Sequence, residues 1–216
     1  MSVAVKICGL SDARSLTAAV DAGAAFVGLV FFRRSPRFVT LDTAAELARR
    51  VPRGVTAVGL FVDPTDAELD TVLRDVRLGM IQLHGRETPD RVRQVRARTG
   101  LPVMKAVGVS TARDVVGAAA FSGAADWLLF DAKPPREATR PGGNAVPFDW
   151  SLMRAFTGAV PWMLAGGLAR ANVAAAIKAS GARAVDVSSG VETKPGLKSA
   201  AKIRAFIRAV QAVKSP

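Results

Sequence analysis

Short apolar runs rich in β-branched residues recur along the chain at Val3–Cys8, Ala25–Phe31, Thr56–Phe61, Met80–Leu83, Val103–Val107, Trp127–Phe130, Trp162–Ala165 and Ala184–Val187. Between them the apolar positions fall at helical spacing. Ala13, Leu16 and Val20 share a stripe after the cap candidate Ser11, and Ala44, Leu47, Ala48 and Val51 share one after Asp42. Leu69, Val72, Leu73 and Val76 form a third stripe. Ile203, Phe206, Ile207 and Val210 form the clearest, at i, i+3, i+4 and i+7. The segment from Asp149 to Phe156 is too short to show a clear period.

Strict alternation of strand and helix predicts a parallel sheet, because each helix is the crossover between parallel neighbours. Eight such units in 216 residues predict an α/β protein with one (β/α)8 TIM-barrel domain over residues 1–216, a parallel eight-stranded core inside a ring of helices. A doubly wound open sheet is the structural alternative. Against it, no G-x-G-x-x-G follows the first strand. Residues 132–148 form the one long irregular segment. It follows the sixth strand, on the face where barrel enzymes carry their loops.

Composition narrows the class. Half of the residues are hydrophobic, enough for one substantial core. A single cysteine excludes an internal disulfide and fits a reducing cytoplasm. The N-terminal residues show no signal-peptide pattern, and no apolar run approaches the ~18 residues that span a bilayer. The net charge of +12 admits nucleic acid, a membrane surface or an anionic small molecule as partner. The arginines are scattered over helix surfaces, with no aromatic-and-basic ribbon and no zinc-finger spacing. The plain reading is a solvated basic surface, with no nucleic acid and no membrane expected as partners. With one Cys, one His and no Cys-x-x-Cys, the sequence offers no metal constellation.

In such a barrel the chemistry sits at the C-terminal strand ends, and residues two apart on a strand share a face. Strand 1 then turns Lys6 and Cys8 toward the axis. An ammonium beside a thiol favours the thiolate and would make Cys8 a base. The alternative is a buried inert cysteine. Strand 6 ends in Asp131, either a turn cap or an acid tuned by the interior. Gln82 and His84 turn inward on strand 4 and Asp186 on strand 8, all three candidates for contact with a substrate; the alternative for Asp186 is that it only holds Lys6. Gly166 and Gly167 follow strand 7; Ser188, Ser189 and Gly190 follow strand 8. Glycines that let backbone N–H groups approach an anion at these two strand ends suit a phosphate. Of Arg33, Arg34 and Arg37 after strand 2, Arg37 is flanked by Pro36 and Phe38 and is the one expected to be held for a carboxylate.

In this order the motifs Val5-Lys6-Ile7-Cys8-Gly9, Ser35-Pro36-Arg37, Gln82-Leu83-His84-Gly85, Leu128-Leu129-Phe130-Asp131, Leu164-Ala165-Gly166-Gly167-Leu168 and Val185 through Glu192 are specific. The chain resembles the phosphoribosylanthranilate isomerase family of tryptophan biosynthesis over essentially its whole length. The resemblance implies a cofactor-free Amadori rearrangement of an aminoaldose phosphate into an aminoketose phosphate. It further implies Cys8 as general base, Asp131 as general acid, and Arg37 on the anthranilate carboxylate. Gly166, Gly167, Ser188, Ser189 and Gly190 would hold the phosphate. The histidine-pathway aminoaldose isomerases, as a family, pair aspartates at strands 1 and 5, whereas here strand 1 offers Cys8 and strand 5 ends Lys105-Ala106-Val107-Gly108. Residues 134–146, basic and rich in Pro and Gly, are left unassigned by the resemblance.

Overall fold

A computed structural model of the chain describes residues 3–133 and 147–213. Most of the irregular segment expected after strand 6 therefore lies outside the described residues. Eight parallel strands close into a barrel: β1 (Ala4–Cys8), β2 (Phe26–Val30), β3 (Thr56–Phe61), β4 (Met80–Leu83), β5 (Val103–Val109), β6 (Trp127–Ala132), β7 (Trp162–Leu164) and β8 (Ala184–Val187). β1 pairs with β2 on one side and β8 on the other, which completes the ring. Around it lie α1 (Ala13–Asp21), α2 (Leu41–Arg49), α3 (Asp66–Asp75), α4 (Pro89–Thr99), α5 (Ala112–Gly117), α6 (Val173–Ser180) and α7 (Ala200–Gln211).

The core has two layers because the strands bury both faces. Outward residues such as Ile7, Val27, Leu83 and Val185 pack under the helix stripes, including Ile203, Phe206, Ile207 and Val210 of α7. Inward residues Val58, Met80, Met104, Leu129, Met163 and Ala184 fill the barrel as a second cluster. Two residues further along, on the same inward face, the side chains turn polar on three strands: Met80 gives way to Gln82, Leu129 to Asp131 and Ala184 to Asp186. The apolar layer is thus the floor of a polar mouth.

Several expectations shift. α1 is capped by Asp12, not Ser11; the Asp12 carboxylate accepts the Ser15 N–H at 2.8 Å. Thr40 caps α2 and places Asp42 in the first turn, where a negative charge favours the helix dipole. The short segment before β7 is a 3-10 turn, Trp150–Ala155, rather than an α-helix. β5 and β6 each run two residues further than their apolar runs, to Val109 and Ala132, and pair Gly108 with Asp131. After β8 comes an antiparallel hairpin of β9 (Glu192–Lys194) and β10 (Leu197–Lys198). Strands of three and two residues are too short to show a period.

Candidate active site

β1 delivers Lys6 and Cys8 to the mouth from one face, as the alternation requires. Lys6 is completely buried and its Nζ lies 2.9 Å from Asp186 Oδ1 on the neighbouring strand, in register with it. Cys8 lies two residues further along the same face of β1. Opposite this pair, β2 offers Gly28, where a Cβ would sit 2.9 Å from Cys8 Sγ and 3.3 Å from Lys6 Nζ. The missing side chain leaves room for both groups.

Burial is the largest influence on both, and it acts in opposite senses. It pushes the Cys8 thiol up, and Asp186 adds to that; Lys6 and Lys198 pull it down without overcoming burial. Burial works against the Lys6 ammonium too, yet the charges of Asp186 and Cys8 and the Asp186 hydrogen bond hold its pKa above the ordinary value. The expected effect of Lys6 on the thiol is therefore present in sign. The expected net result, a thiol lowered in the free site, is reversed because the site is dry.

Asp131 lies on β6. Because the ring closes, β6 is three strands from β1 by way of β7 and β8. The Asp131 Oδ1 accepts the Ala132 N–H at 2.9 Å. Its Oδ2 lies 3.3 Å from His84 Nε2. His84 Nδ1 is 2.9 Å from Gln82 Nε2. With the Gln82 amide donating, the imidazole carries its proton on Nε2 and presents it to Asp131. Gln82 is fully buried beneath His84, and its Oε1 has no partner among the described residues. The structure thus brings Gln82 and His84, both expected as substrate contacts, to the carboxylate of Asp131. Behind them Glu87 fixes the turn. Its carboxylate accepts the N–H groups of Asp63 and Gly85 and the Lys105 ammonium, the last at 2.7 Å.

Between the Cys8 and Asp131 walls stand the two glycine loops. Gly166 and Gly167 adopt φ of +83° and +64°, a left-handed pair that only glycine takes without strain. A Cβ on Gly166 would lie 3.2 Å from Asp131 Oδ1. Asn172 ties this loop by accepting the Ala169 N–H at 2.7 Å and donating to the Gly167 carbonyl at 2.9 Å. Gly190 packs so closely on the Leu168 carbonyl that a Cβ there would collide with it. The Ser188 hydroxyl donates to the Cys8 carbonyl at 3.1 Å. Ser189 opens a 3-10 turn over Ser189–Val191.

Of the three arginines after β2, Arg37 is the one held, as expected, while Arg33 and Arg34 are exposed. Its anchor is not Pro36 or Phe38 but Glu192. Arg37 Nε and Nη2 donate to the two carboxylate oxygens at 2.7 and 2.9 Å. The guanidinium stem runs along Gly9, where a Cβ would sit 2.6 Å from Arg37 Cδ. Lys198, on β10, donates to the same Glu192 carboxylate at 2.7 Å. Glu192, Lys198 and Glu87 escaped the sequence reading. Glu192 ends the last motif yet carried no role, and Lys198 sits in a hairpin the pattern does not reveal. Among the described residues no group of His, Cys, Asp and Glu is arranged to hold a metal ion, and no helix is long and apolar enough to cross a membrane.

Residues 5–209 match the family described as N-(5'phosphoribosyl)anthranilate (PRA) isomerase. The chain is 59% identical over 211 residues to the N-(5'-phosphoribosyl)anthranilate isomerase of Paramagnetospirillum magneticum, covering 98% of each protein. Its fold superposes on the phosphoribosyl anthranilate isomerase of Thermotoga maritima with a TM-score of 0.84 at 36% identity, covering 96% of this chain and 98% of that one. A phosphoribosyl anthranilate isomerase solved in complex with reduced 1-(o-carboxyphenylamino)-1-deoxyribulose 5-phosphate matches with a TM-score of 0.82 at 34% identity, over 96% and 98% of the two chains. The glycine loops, the strand-end cysteine and aspartate, and these likenesses over nearly the full length agree: the chain belongs to the N-(5'-phosphoribosyl)anthranilate isomerase family.

Proposed function

We propose that this mouth performs the family's isomerisation in tryptophan biosynthesis, with Cys8 as the base and Asp131 as the acid. The observation that carries the reading is topological. The two strands between β1 and β6, on the shorter way round the ring, are the two that end in glycine loops. A phosphate held there leaves the sugar of an N-(5-phosphoribosyl)anthranilate spanning the gap from Asp131 to Cys8. The relative solved with a carboxyphenylamino-deoxyribulose phosphate supports that orientation of ligand.

Asp131, protonated, gives its proton to the furanose ring oxygen. The C1′–O bond breaks as the nitrogen lone pair forms the C1′=N iminium. Cys8, as thiolate, removes the C2′ proton, and that electron pair forms C1′=C2′ and neutralises the iminium. In the tautomerisation that follows, C1′ takes one proton and the 2′-hydroxyl gives one up. Aldose becomes ketose within one molecule, an internal oxidation and reduction with no outside electron acceptor. Arg37 keeps its Nη1 edge for the anthranilate carboxylate because Glu192 occupies the Nε–Nη2 edge. Gly166, Gly167, Ser188, Ser189 and Gly190 carry the phosphate, and Asp186 serves by holding Lys6 beside Cys8.

In this reading the protein is one barrel domain of the cytoplasm, a monomer or homodimer, acting on an anionic small molecule. Loss of the anthranilate conjugate's fluorescence on adding the protein tests it. Turnover of phosphoribosylanthranilate with none of the histidine-pathway aminoaldose is expected; the reverse preference would overturn it.

A further inference from the structure

Among the described residues, three cations and two carboxylates are buried together at the Cys8 side of the mouth. Lys6 pairs with Asp186. Arg37 and Lys198 share the single carboxylate of Glu192, with the side chains of all three no more than 5% exposed. With Cys8 as a neutral thiol, this group holds one more positive charge than negative. Buried charge without a counter-charge is costly. The group is short of one anion, and Cys8 is the ionisable side chain beside it that can supply one.

Geometry links the same residues to Cys8 directly. Lys198 Nζ donates to the Ser188 carbonyl at 3.0 Å and to Ser188 Oγ at 3.1 Å. Ser188 Oγ passes the chain on to the Cys8 carbonyl. The hairpin that carries Glu192 and Lys198 is itself pinned. Lys202 Nζ donates to the Glu192 carbonyl at 2.6 Å. At the hairpin turn, a Cβ on Gly196 would collide with the Pro36 carbonyl. The hairpin therefore clamps the Arg37 loop on one side and the end of β1 on the other.

We propose that the β9–β10 hairpin is the positioning element of the proton-abstracting cysteine: Lys198 holds the end of β1 through Ser188 and, with Arg37, supplies the surplus positive charge that a Cys8 thiolate neutralises, while Glu192 limits that surplus to one charge. The inference rests on the reading of Cys8 as the base. Among the described residues, the charged and titratable groups around Cys8 are Lys6 from β1, Asp186 from β8, Arg37 from the β2–α2 loop, Glu192 and Lys198 from the hairpin, and the His84–Asp131 pair across the mouth. The directions of titration agree with a positive surplus. Glu192 is held below the ordinary carboxylate range: burial opposes this, but Arg37 and Lys198 prevail. Lys198 stays below the ordinary ammonium value through burial, with the Arg37 charge adding to it and Glu192 only partly offsetting it.

Cys8 is the only cysteine, so the rate of alkylation by iodoacetamide against pH reads this thiol alone in the whole protein. Lys198→Met is expected to move the titration midpoint up by about 1 pH unit, and Glu192→Gln to move it down. Lys198→Arg is expected to leave it near the wild-type value. Lys198→Gln keeps a donor toward Ser188 and replaces the Met variant if that one does not fold. A purely structural role predicts otherwise: loosening the site admits water, and every variant drifts down toward a free thiol. An unchanged or downward midpoint on removing the Lys198 charge overturns the proposal, as does an upward one for Glu192→Gln. Turnover in Cys8→Ala is a separate test. If it persists, the reading of Cys8 as base fails while the titration result stands.

Discussion

Replacing Lys6 by Met separates what the buried pair does for the fold from what it does for the reaction. Lys6 is wholly buried and Asp186 is 9% exposed, with 2.9 Å between ammonium and carboxylate. Removing one partner strands the other charge in a dry site, which costs about 3–5 kcal/mol. In a chain of this length each kcal/mol moves Tm by roughly 2–4 °C, so Lys6→Met should lower Tm by about 6–20 °C. The double variant Lys6→Met/Asp186→Leu removes both charges and fills the volume with apolar atoms. Such exchanges are often neutral or stabilising, so most of the lost Tm should return. Turnover should not. Cys8 loses its nearest ammonium, and the loss of Asp186, which pushes the thiol up, offsets this only in part because Lys6 is the larger of the two influences; the thiolate available at neutral pH should stay roughly 10-fold or more below wild type. Thermal melts followed by circular dichroism, beside the fluorescence assay on the same samples, read both quantities. A double variant with wild-type turnover would refute the role of Lys6 in preparing the base. A Lys6→Met variant that melts with the wild type would refute the energetics of the pair.

Other consequences are more local. Because burial holds the Cys8 thiol above its ordinary value, the thiolate is scarce below that value and gained above it; kcat/KM should keep rising with pH beyond the ordinary thiol range, and a plateau by pH 7 would contradict this. His84→Gln removes the imidazole that aims Asp131. It should lower kcat by about 10- to 100-fold with a smaller change in KM, less than the roughly 10²- to 10⁴-fold that loss of the acid itself would cost, and steady-state kinetics that show the loss in KM alone would count against it. Gly190→Ala forces a methyl into the Leu168 carbonyl and should part the two glycine loops. A several-fold rise in the inhibition constant of inorganic phosphate is expected, and an unchanged constant would place the phosphate elsewhere.

Much of this was legible in the sequence because a barrel strand obeys a period of two. Lys6 and Cys8, Gln82 and His84, Asp131 and Asp186 all face inward where alternation placed them. The closed ring followed from strict strand–helix alternation. What alternation does not carry is partner choice across the barrel. That His84 meets Asp131, and that Arg37 is clasped by Glu192 from a residue 155 positions away, depends on ring closure and loop paths with no local signature. The hairpin holding Lys198 was hidden for a different reason: strands of three and two residues contain too few positions for a pattern. The thiol's direction of titration was misjudged because the sequence shows a neighbouring ammonium but not how completely the site excludes water.

The claim that Cys8 and Asp131 are the base and acid of one reaction is tested most directly by Cys8→Ala and Asp131→Asn, each assayed for loss of phosphoribosylanthranilate fluorescence at saturating substrate. Each removes a proton-transfer group from the mouth without adding volume there. The account predicts that each variant folds with a near-wild-type melt, retains a similar KM, and loses about 10²- to 10⁴-fold in kcat. Wild-type turnover in both variants would contradict it.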